Sequence, residues 1–452
     1  MSAAPAAALP PIAGRRWAVL GMGATGVSCA RYLAARGARV RCVDNAAQPP
    51  ARARLAAELP ELDWVCGPLE QSALAGMDAI VASPGVTLEQ PALQAATAGG
   101  IPLLGDIQLF AQATCKPVIG ITGSNGKSTV TTLVWRILEA AGRTVRAGGN
   151  LGPPALDLLQ PPEPSCFVLE LSSFQLELTH SLGLAAACIL NLSADHLDRH
   201  HTMEGYRAAK ARILELAGAV VLNADDPLVA SLAPTGVPVR WVGREAEYHV
   251  TVHDGERWLS RGQALLMKTS NLQIAGLHNE FNALAAIAIT DCLDVPVSAQ
   301  RAALQVFDGL PHRCRLVANH QGVAWFDDSK GTNIGATIAA IEGLLAGRQG
   351  VLIAGGQGKG ADFRELRPAI KGRVHTVILL GQDAPLLESA LADLADCQRV
   401  ADLAAAVRAA SRAARPGDAV LLSPACASLD MFDNYAHRGR AFEAAVHALL
   451  GP

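Results

Sequence analysis

The chain has 452 residues, half of them hydrophobic and 17% charged, with a formal net charge of −3. That length accommodates two or three domains with ample cores, and the near-neutral balance supplies no basic face, which excludes nucleic acid as the main partner. Ten cysteines without any C-x-x-C pair argue for reduced thiols rather than a disulfide framework or zinc ribbon; no uncharged apolar run reaches membrane-spanning length, so a soluble cytoplasmic enzyme is expected.

The first fourteen residues are Ala/Pro-rich with no early positive charge and read as a disordered lead-in, not a signal peptide. From there to about residue 112, short apolar strands alternate with Ala-rich helices, the pattern of a largely parallel sheet. Trp17 to Leu20 is a predicted strand, Gly21-Met-Gly23-Ala-Thr-Gly26 opens a helix to Arg36, and a second strand, Arg39 to Val43, ends in Asp44. An acidic residue about twenty positions past G-x-G-x-x-G is the dinucleotide-binding arrangement. The glycines allow a pyrophosphate to approach the backbone, and Asp44 suits a ribose or base. A UDP-sugar presents the same groups as NAD, and a purely structural tight turn is the bland alternative. Ile80-Val-Ala-Ser83-Pro-Gly85 is a further strand-to-loop edge on the same crevice.

Lys116 to about Leu310 forms a second unit. Pro117 to Ile121 is a short buried strand, followed by Thr122-Gly123-Ser124-Asn125-Gly126-Lys127-Ser128-Thr129. Val130, Leu133, Val134, Ile137 and Leu138 then mark one helix face, and Gly142 stops it. Such a loop turns backbone N–H groups around phosphate oxygens, its lysine reaches the terminal phosphates, and the Ser128 hydroxyl can hold Mg²⁺. The match is imperfect, because G-x-x-x-x-G-K-[ST] wants glycine where Ile121 stands, between Gly120 and Gly123. Strand, loop and helix nonetheless come in the required order, which places a nucleoside triphosphate here.

Further strands are predicted over Phe167 to Leu171, Ala187 to Leu192 and Ala219 to Asn223. Val239 to Lys268 alternates like a small antiparallel sheet, and helices follow over Asn279 to Cys292 and Ser298 to Phe307. Glu170 ends an apolar strand beside the phosphate loop, a natural position for a Mg²⁺ ligand. A structural role would need an Arg or Lys partner that the sequence does not display. In Asn191-Leu-Ser-Ala-Asp195-His196-Leu-Asp198-Arg-His200-His201, His196 and its acidic neighbours suit a metal at the same sheet edge, whereas His200 and His201 read as surface residues. Gly205 to Ala217 reads as one helix with Tyr206, Lys210, Ile213 and Ala217 on a stripe. Lys210 therefore points inward, where a desolvated amine has a lowered pKa and can take up CO₂ as a carbamate, a potential metal ligand. A snorkelling lysine is the alternative.

Gly309-Leu-Pro311 reads as a linker into a third unit, with strands over Val323 to Phe326, Gly350 to Ala354, Val374 to Leu380 and Ala419 to Leu422. Asp327-Asp328-Ser329-Lys330-Gly-Thr332-Asn333 and Gly355-Gly-Gln-Gly-Lys359-Gly-Ala-Asp362 each follow a strand, where α/β crevices bind ligands. Lys330 and Lys359 suit an anionic substrate. Ser423-Pro-Ala-Cys-Ala-Ser428-Leu-Asp430 is a third such edge, and Cys426, with no activating histidine nearby in sequence, reads as structural.

Taken together, G-S-N-G-K-S-T, L-E-L-S-S-F-Q-L-E, D-H-L-D-R-H, Y-R-A-A-K, G-L-H-N-E-F-N-A, L-P-H-R, D-D-S-K-G-T-N, G-G-Q-G-K-G-A-D-F and S-P-A-C-A-S-L-D run in the order found in the Mur ligases, and the chain resembles that family over nearly its whole length. The glycine-rich start and the D-S-K and S-P-A-C-A-S segments resemble its D-glutamate-adding branch.

The resemblance implies an α/β fold in three domains: a UDP-sugar-binding Rossmann-like domain over 1–112, a central ATP-binding domain over 113–310 and a Rossmann-like amino-acid-binding domain over 311–452. It implies an ATP-dependent ligase acting on UDP-N-acetylmuramoyl-L-alanine and D-glutamate, as a monomer, with Mg²⁺ (two ions, Mn²⁺ an alternative) and no nucleic-acid or membrane partner. The positions matching the family's ATP contacts are Gly123, Ser124, Asn125, Gly126, Lys127, Ser128, Thr129, Asn279, Asn282, Arg313 and Asp328. Metal positions fall on Ser128, Glu170, His196 and carbamylated Lys210, and catalytic ones on Lys127, His196, Lys210 and Lys330. UDP-sugar positions fall on Gly23, Ala24, Thr25, Asp44, Asn45, Ser83 and Asn150; D-glutamate positions fall on Lys330, Thr332, Lys359, Ser428, Leu429 and Tyr435; His196 is a further substrate-binding position. Two departures stand out: no basic residue follows Asp44-Asn45, and Tyr435 occupies a position where phenylalanine is common. A folylpolyglutamate-type ligase, an NAD-dependent dehydrogenase and a non-catalytic nucleotide sensor are the alternatives; the third motif set argues against the first, the second leaves the ATP loop, Glu170 and Lys210 without a task, and the third leaves two metal sites unused.

Overall fold

The computed structural model describes residues 11–274 and 276–451. The expected lead-in lies outside the described residues as far as residue 10. Beyond it the expectation fails: Gly14 donates its N–H to the Gly37 carbonyl at 2.8 Å, so this stretch already packs on the first unit.

Three sheets follow in chain order. The first has five parallel strands in the spatial order Asp63–Cys66, Arg39–Asp44, Arg16–Leu20, Ala79–Ala82 and Leu103–Leu104. The order reverses beside Arg16–Leu20, and that switch point opens the crevice where such sheets take ligands. Trp17, Val19, Cys29, Leu33 and Phe110 are fully or almost fully buried beneath it. Gly26 lets the following helix lie against the sheet, since a Cβ there would stand 1.9 Å from the Gly21 carbonyl oxygen. That helix, Ala24–Ala34, stops two residues short of the Arg36 expected.

The second sheet has nine strands, ordered Ala264–Lys268, Glu256–Arg261, Tyr248–His253, Val239–Val242, Val220–Asn223, Leu184–Ile189, Val118–Thr122, Cys166–Glu170 and Val145–Gly149. The antiparallel pairs among residues 248–268 therefore extend the parallel sheet instead of forming a separate one. The strand Val239–Val242 is parallel to its neighbour Val220–Asn223, which corrects the alternation read from sequence. Helices Lys127–Ala140 and Leu277–Asp291 pack on one face through Val130, Leu133, Ile137, Leu284 and Ile287.

The third sheet has six strands: Arg315–His320, Val323–Asp327, Ala419–Leu422, Gly350–Gly355, Val374–Leu380 and Asp396–Arg399. Five run parallel, and Arg315–His320 is an antiparallel edge that sequence patterning missed. Its mostly half-exposed residues lack the buried apolar run of the strand beside it. No described helix is long and apolar enough to cross a membrane.

Candidate active site

The loop between Val118–Thr122 and the helix Lys127–Ala140 holds the centre. Gly126 has φ +82°, a left-handed conformation glycine adopts at no steric cost, and a Cβ there would press to 2.7 Å from Asn282 Oδ1. The Asn125 N–H donates to Asn191 Oδ1 (2.8 Å), and the Ser124 N–H to the Asn191 carbonyl (2.9 Å), so the loop is braced by the end of the adjacent strand. Lys127 Nζ folds back onto the loop, donating to the carbonyls of Gly123 (2.8 Å) and Ser124 (2.9 Å). Desolvation lowers its pKa, against the raising influence of Glu170 and Asp195.

Glu170 is 3% exposed and accepts hydrogen bonds on both oxygens, from Ser128 Oγ (2.6 Å) and Asn150 Nδ2 (2.6 Å). Burial alone would raise its pKa, but the Lys127 charge, those two donors and Arg313 outweigh it and hold the carboxylate below its ordinary value. The cations that sequence did not display for Glu170 are thus Lys127, forty-three positions away, and Arg313. Arg313 also donates to Ser128 Oγ at 2.7 Å.

Lys210 is 2% exposed. Its Nζ donates to the Gly123 carbonyl (2.9 Å) and to Thr122 Oγ1 (3.2 Å) and lies 4.8 Å from the centre of the Tyr206 ring. Burial, followed by the Lys127 charge, pushes its pKa well below the ordinary lysine value. The inward orientation expected from the helix stripe is present, but the helix is shorter: Met203–Ala211 gives way to a 3₁₀ turn, Arg212–Leu216, and Ala217 leaves the helix. Lys210 stands behind the phosphate loop, off the walls of the cavities described next.

Three neighbouring cavities follow, the second and third lined in part by the loop. The first, about 540 Å³, opens at the switch point of the first sheet and is lined by Gly23, Ala24, Thr25, Asp44, Asn45, Ser83 and Asn150, together with Met22, Val86, Gln90 and Gln175. Both Asp44 oxygens already accept backbone N–H groups, from Met22 (2.7 Å) and Ala46 (2.8 Å), so Asp44 also shapes the glycine turn. The second, about 350 Å³, is lined by Asn125, Gly126, Thr129, Asn279, Asn282, Arg313, Asp328 and Lys330, with His278 and Phe281. Burial raises the Asp328 carboxyl to about 7, despite the Ser423 hydroxyl (2.7 Å) and Arg313.

The third, about 290 Å³, gathers Lys127, Glu170, Asp195, His196, Lys330, Thr332, Lys359, Ser428, Leu429 and Tyr435. Lys330 Nζ sits 4.0 Å from the Tyr435 ring centre, so the tyrosine preserves the face a phenylalanine would offer. Burial, with Arg313 next, lowers the Lys330 pKa to about 8. Asn150 belongs to the first and third cavities, and Asn125, Gly126, Arg313 and Lys330 to the second and third. The third space therefore adjoins both others, the second at the phosphate loop and the first at Asn150.

Sequence reading gave no role to Asn333 or Arg438. Asn125 and Asn333, 208 positions apart, exchange side-chain amide hydrogen bonds (3.2 and 3.1 Å), and Asn333 Nδ2 also donates to Asp195 Oδ2 (3.2 Å). Arg438, 2% exposed, donates to Ser329 Oγ and to the carbonyls of Ser329 and Cys426. Cys426 is buried, and burial pushes its thiol up to about 12, in keeping with a structural role. One expectation is overturned: His200 is 8% exposed, its Nε2 within 2.9 Å of Ser173 Oγ and its Nδ1 3.3 Å from Glu177, whereas His201 is on the surface.

Comparison with known proteins gives matches along the whole chain. Family models for the Mur ligase MurD-like N-terminal domain, the Mur ligase middle domain and the Mur ligase glutamate ligase domain match residues 15–105, 121–290 and 312–426. The chain is 49% identical over 436 residues to a UDP-N-acetylmuramoylalanine–D-glutamate ligase from Nitrosococcus oceani, covering 96% of each protein. It is 47% identical over 437 residues to the protein of that name from Pseudomonas aeruginosa, covering 95% of this chain and 97% of the other. Among solved structures, a UDP-N-acetylmuramate–alanine ligase from Thermotoga maritima superimposes with a TM-score of 0.62 at 18% identity, over 96% of this chain and all of the other, a likeness of fold.

Proposed function

The chain belongs to the Mur ligase family, and on that footing we propose that it is an ATP-dependent ligase that joins D-glutamate to UDP-N-acetylmuramoyl-L-alanine in peptidoglycan precursor synthesis, giving ADP and phosphate. One observation carries the chemistry: the third cavity, which holds Lys127 and Glu170, adjoins the first through Asn150 and the second through Asn125, Gly126, Arg313 and Lys330. A nucleotide, an acid and an amine held in those spaces face one another across Lys127 and Glu170.

A carboxylate oxygen is a poor leaving group, and phosphorylation makes it a good one. The L-alanyl carboxylate attacks the γ-phosphorus of ATP, the bond to the β–γ bridging oxygen breaks, and ADP leaves. The D-glutamate amine, freed of its ammonium proton, attacks the carbonyl carbon of the acyl phosphate, and the tetrahedral intermediate expels phosphate to leave the amide. Negative charge accumulates throughout, so cations fixed in advance contribute most. Lys127, released from its two loop carbonyls by an incoming phosphate, supplies one such charge, and Arg313 and Lys330 supply others.

With the chain divided near residues 112 and 310, Gly23, Ala24, Thr25, Asp44, Asn45, Ser83 and Asn150 hold the sugar nucleotide. Asn279, Asn282, Arg313 and Asp328 hold the nucleoside end of ATP, and Gly123 to Thr129 its phosphates. Lys330, Thr332, Lys359, Ser428, Leu429 and Tyr435 receive D-glutamate, whose two carboxylates match the two lysines.

The Ser128 hydroxyl and the Glu170 carboxylate lie 2.6 Å apart, the carboxylate kept ionised by its surroundings, and form a hard-oxygen donor set that fits Mg²⁺ or Mn²⁺. Held by these two residues, a divalent ion would supply charge neutralisation for the phosphates. As an ammonium, Lys210 would repel a second ion; its depressed pKa favours the neutral amine that forms a carbamate, which together with His196 would hold one. Residues of one chain line all three cavities, which supports a monomer, and the need for ATP and a sugar nucleotide supports a cytoplasmic reaction.

Phosphate release from ATP in the presence of Mg²⁺ tests the proposal. Release that requires both UDP-N-acetylmuramoyl-L-alanine and D-glutamate is expected. Equal turnover with lysine or meso-diaminopimelate in place of D-glutamate would refute the amine assignment.

A further inference from the structure

His196 has φ +54°, a left-handed conformation that is uncommon without glycine and needs support from its surroundings. It immediately precedes the short helix Leu197–His200. On that helix Arg199 makes three contacts at once. Its Nη1 donates to the Val86 carbonyl (2.8 Å), its Nη2 to Glu177 Oε2 (3.0 Å), and its guanidinium lies 4.8 Å from the centre of the Phe174 ring. The same ring meets His196 edge-on at 5.0 Å and stacks on His200 at 5.4 Å. His201, just past the helix, contacts Glu89 Oε1 at 2.8 Å.

Val86 and Glu89 belong to the loop after the strand Ala79–Ala82, and Val86, Thr87 and Gln90 line the sugar-nucleotide cavity. Val86 also packs so close to the glycine turn that a Cβ on Gly21 would stand 2.9 Å from its Cγ2. Two side chains of the histidine-bearing segment are thus anchored on the loop that borders the first cavity. Arg199 itself lies on the wall of none of the three cavities.

We propose that Arg199 is a positioning residue that couples occupancy of the sugar-nucleotide cleft to the placement of His196. A ligand that draws the 84–90 loop inward moves the Val86 carbonyl, and the planar guanidinium passes that displacement to Phe174, Glu177 and the His196 backbone together. A lysine, without the planar fork, could not hold the carbonyl, the carboxylate and the ring face together. By linkage, whatever His196 helps to bind then alters the affinity of the sugar nucleotide by the same factor.

The inference rests on the proposed function for the identity of that ligand. The test is calorimetric titration of the full chain with UDP-N-acetylmuramoyl-L-alanine, with and without a non-hydrolysable ATP analogue and Mg²⁺. Wild type is expected to bind the sugar nucleotide at least about fivefold more tightly with the analogue present. Arg199→Met should bring that ratio close to one while the analogue's own affinity stays unchanged, and Arg199→Lys should recover part of it. A wild-type ratio in Arg199→Met would overturn the inference, as would a parallel loss of every affinity together with thermal stability, the mark of a merely structural residue. Should Arg199→Met fail to fold, Glu177→Gln removes the other anchor and gives the same readout. Wild type that binds no sugar nucleotide would refute the proposed function and the inference with it; wild type that binds it with a ratio of one would refute the inference alone.

Discussion

Lys127 and Lys210 donate to one and the same oxygen, the carbonyl of Gly123, at 2.8 and 2.9 Å. Two ammonium groups on one acceptor repel each other, and burial lowers the pKa of both, Lys210 further than Lys127. In the proposed function Lys210, whose pKa falls well below its ordinary value, supplies the neutral amine that takes up CO₂. Lys210→Ala should be inactive, with partial rescue by small carboxylates such as formate or acetate that occupy the vacated space. Depleting CO₂ and bicarbonate should lower wild-type activity reversibly. Full activity of Lys210→Arg, which cannot form the carbamate, would contradict this.

Lys127, unlike Lys210, lines the third cavity, where an incoming anion would draw it off its two loop carbonyls. Lys127→Ala should reduce kcat by at least about 10²–10³-fold, the usual cost of removing a preorganised donor from a developing charge. Steady-state kinetics together with a melting curve checks this; near-normal kcat in a folded variant would show that the loop does not grip the phosphates.

Glu170 is held between Ser128 and Asn150, and Glu170→Gln removes the charge with little change of shape. Mn²⁺ binding in the presence of ADP, followed by electron paramagnetic resonance, should weaken by about 10–100-fold, a loss typical of damage to a metal site. Unchanged Mn²⁺ affinity would remove Glu170 from that site.

Asp328 makes stability depend on pH. Its folded-state pKa is raised from 3.8 to about 7, chiefly by burial, so between those values the folded protein holds a proton that the unfolded chain has lost. This contribution is fully present below pH ~4 and is lost as pH rises through about 7, by at most ~4 kcal/mol at ~1.4 kcal/mol per unit. Urea unfolding of the C-terminal part should therefore lose stability between pH 4 and 7.5, and Asp328→Asn should flatten that slope. An equally steep slope in the variant would place the titration elsewhere.

What was legible in the sequence was local. The phosphate loop shows because a buried strand, glycines and a 3.6-residue period occupy consecutive positions, and Lys210 shows because Tyr206 and Ile213 share its stripe. Partnerships across long separations leave no such trace: Ser128 with Arg313, 185 positions away, Asn125 with Asn333, and Arg438 with Ser329 are set by how the sheets meet. His200 and His201 look alike in sequence, but the short helix sends one against Ser173 and leaves the other on the surface. Glu170 could be read as buried and acidic; its donors could not be named until the strand Val145–Gly149 set Asn150 beside it.

The most direct test of the mechanism follows an oxygen atom. UDP-N-acetylmuramoyl-L-alanine labelled with ¹⁸O in the alanyl carboxylate is turned over with ATP, Mg²⁺ and D-glutamate, and the released phosphate is examined by mass spectrometry. If the carboxylate is phosphorylated before the amine attacks, each phosphate carries one labelled oxygen from the acid. Phosphate free of label, released with normal amide formation, would contradict an acyl-phosphate route.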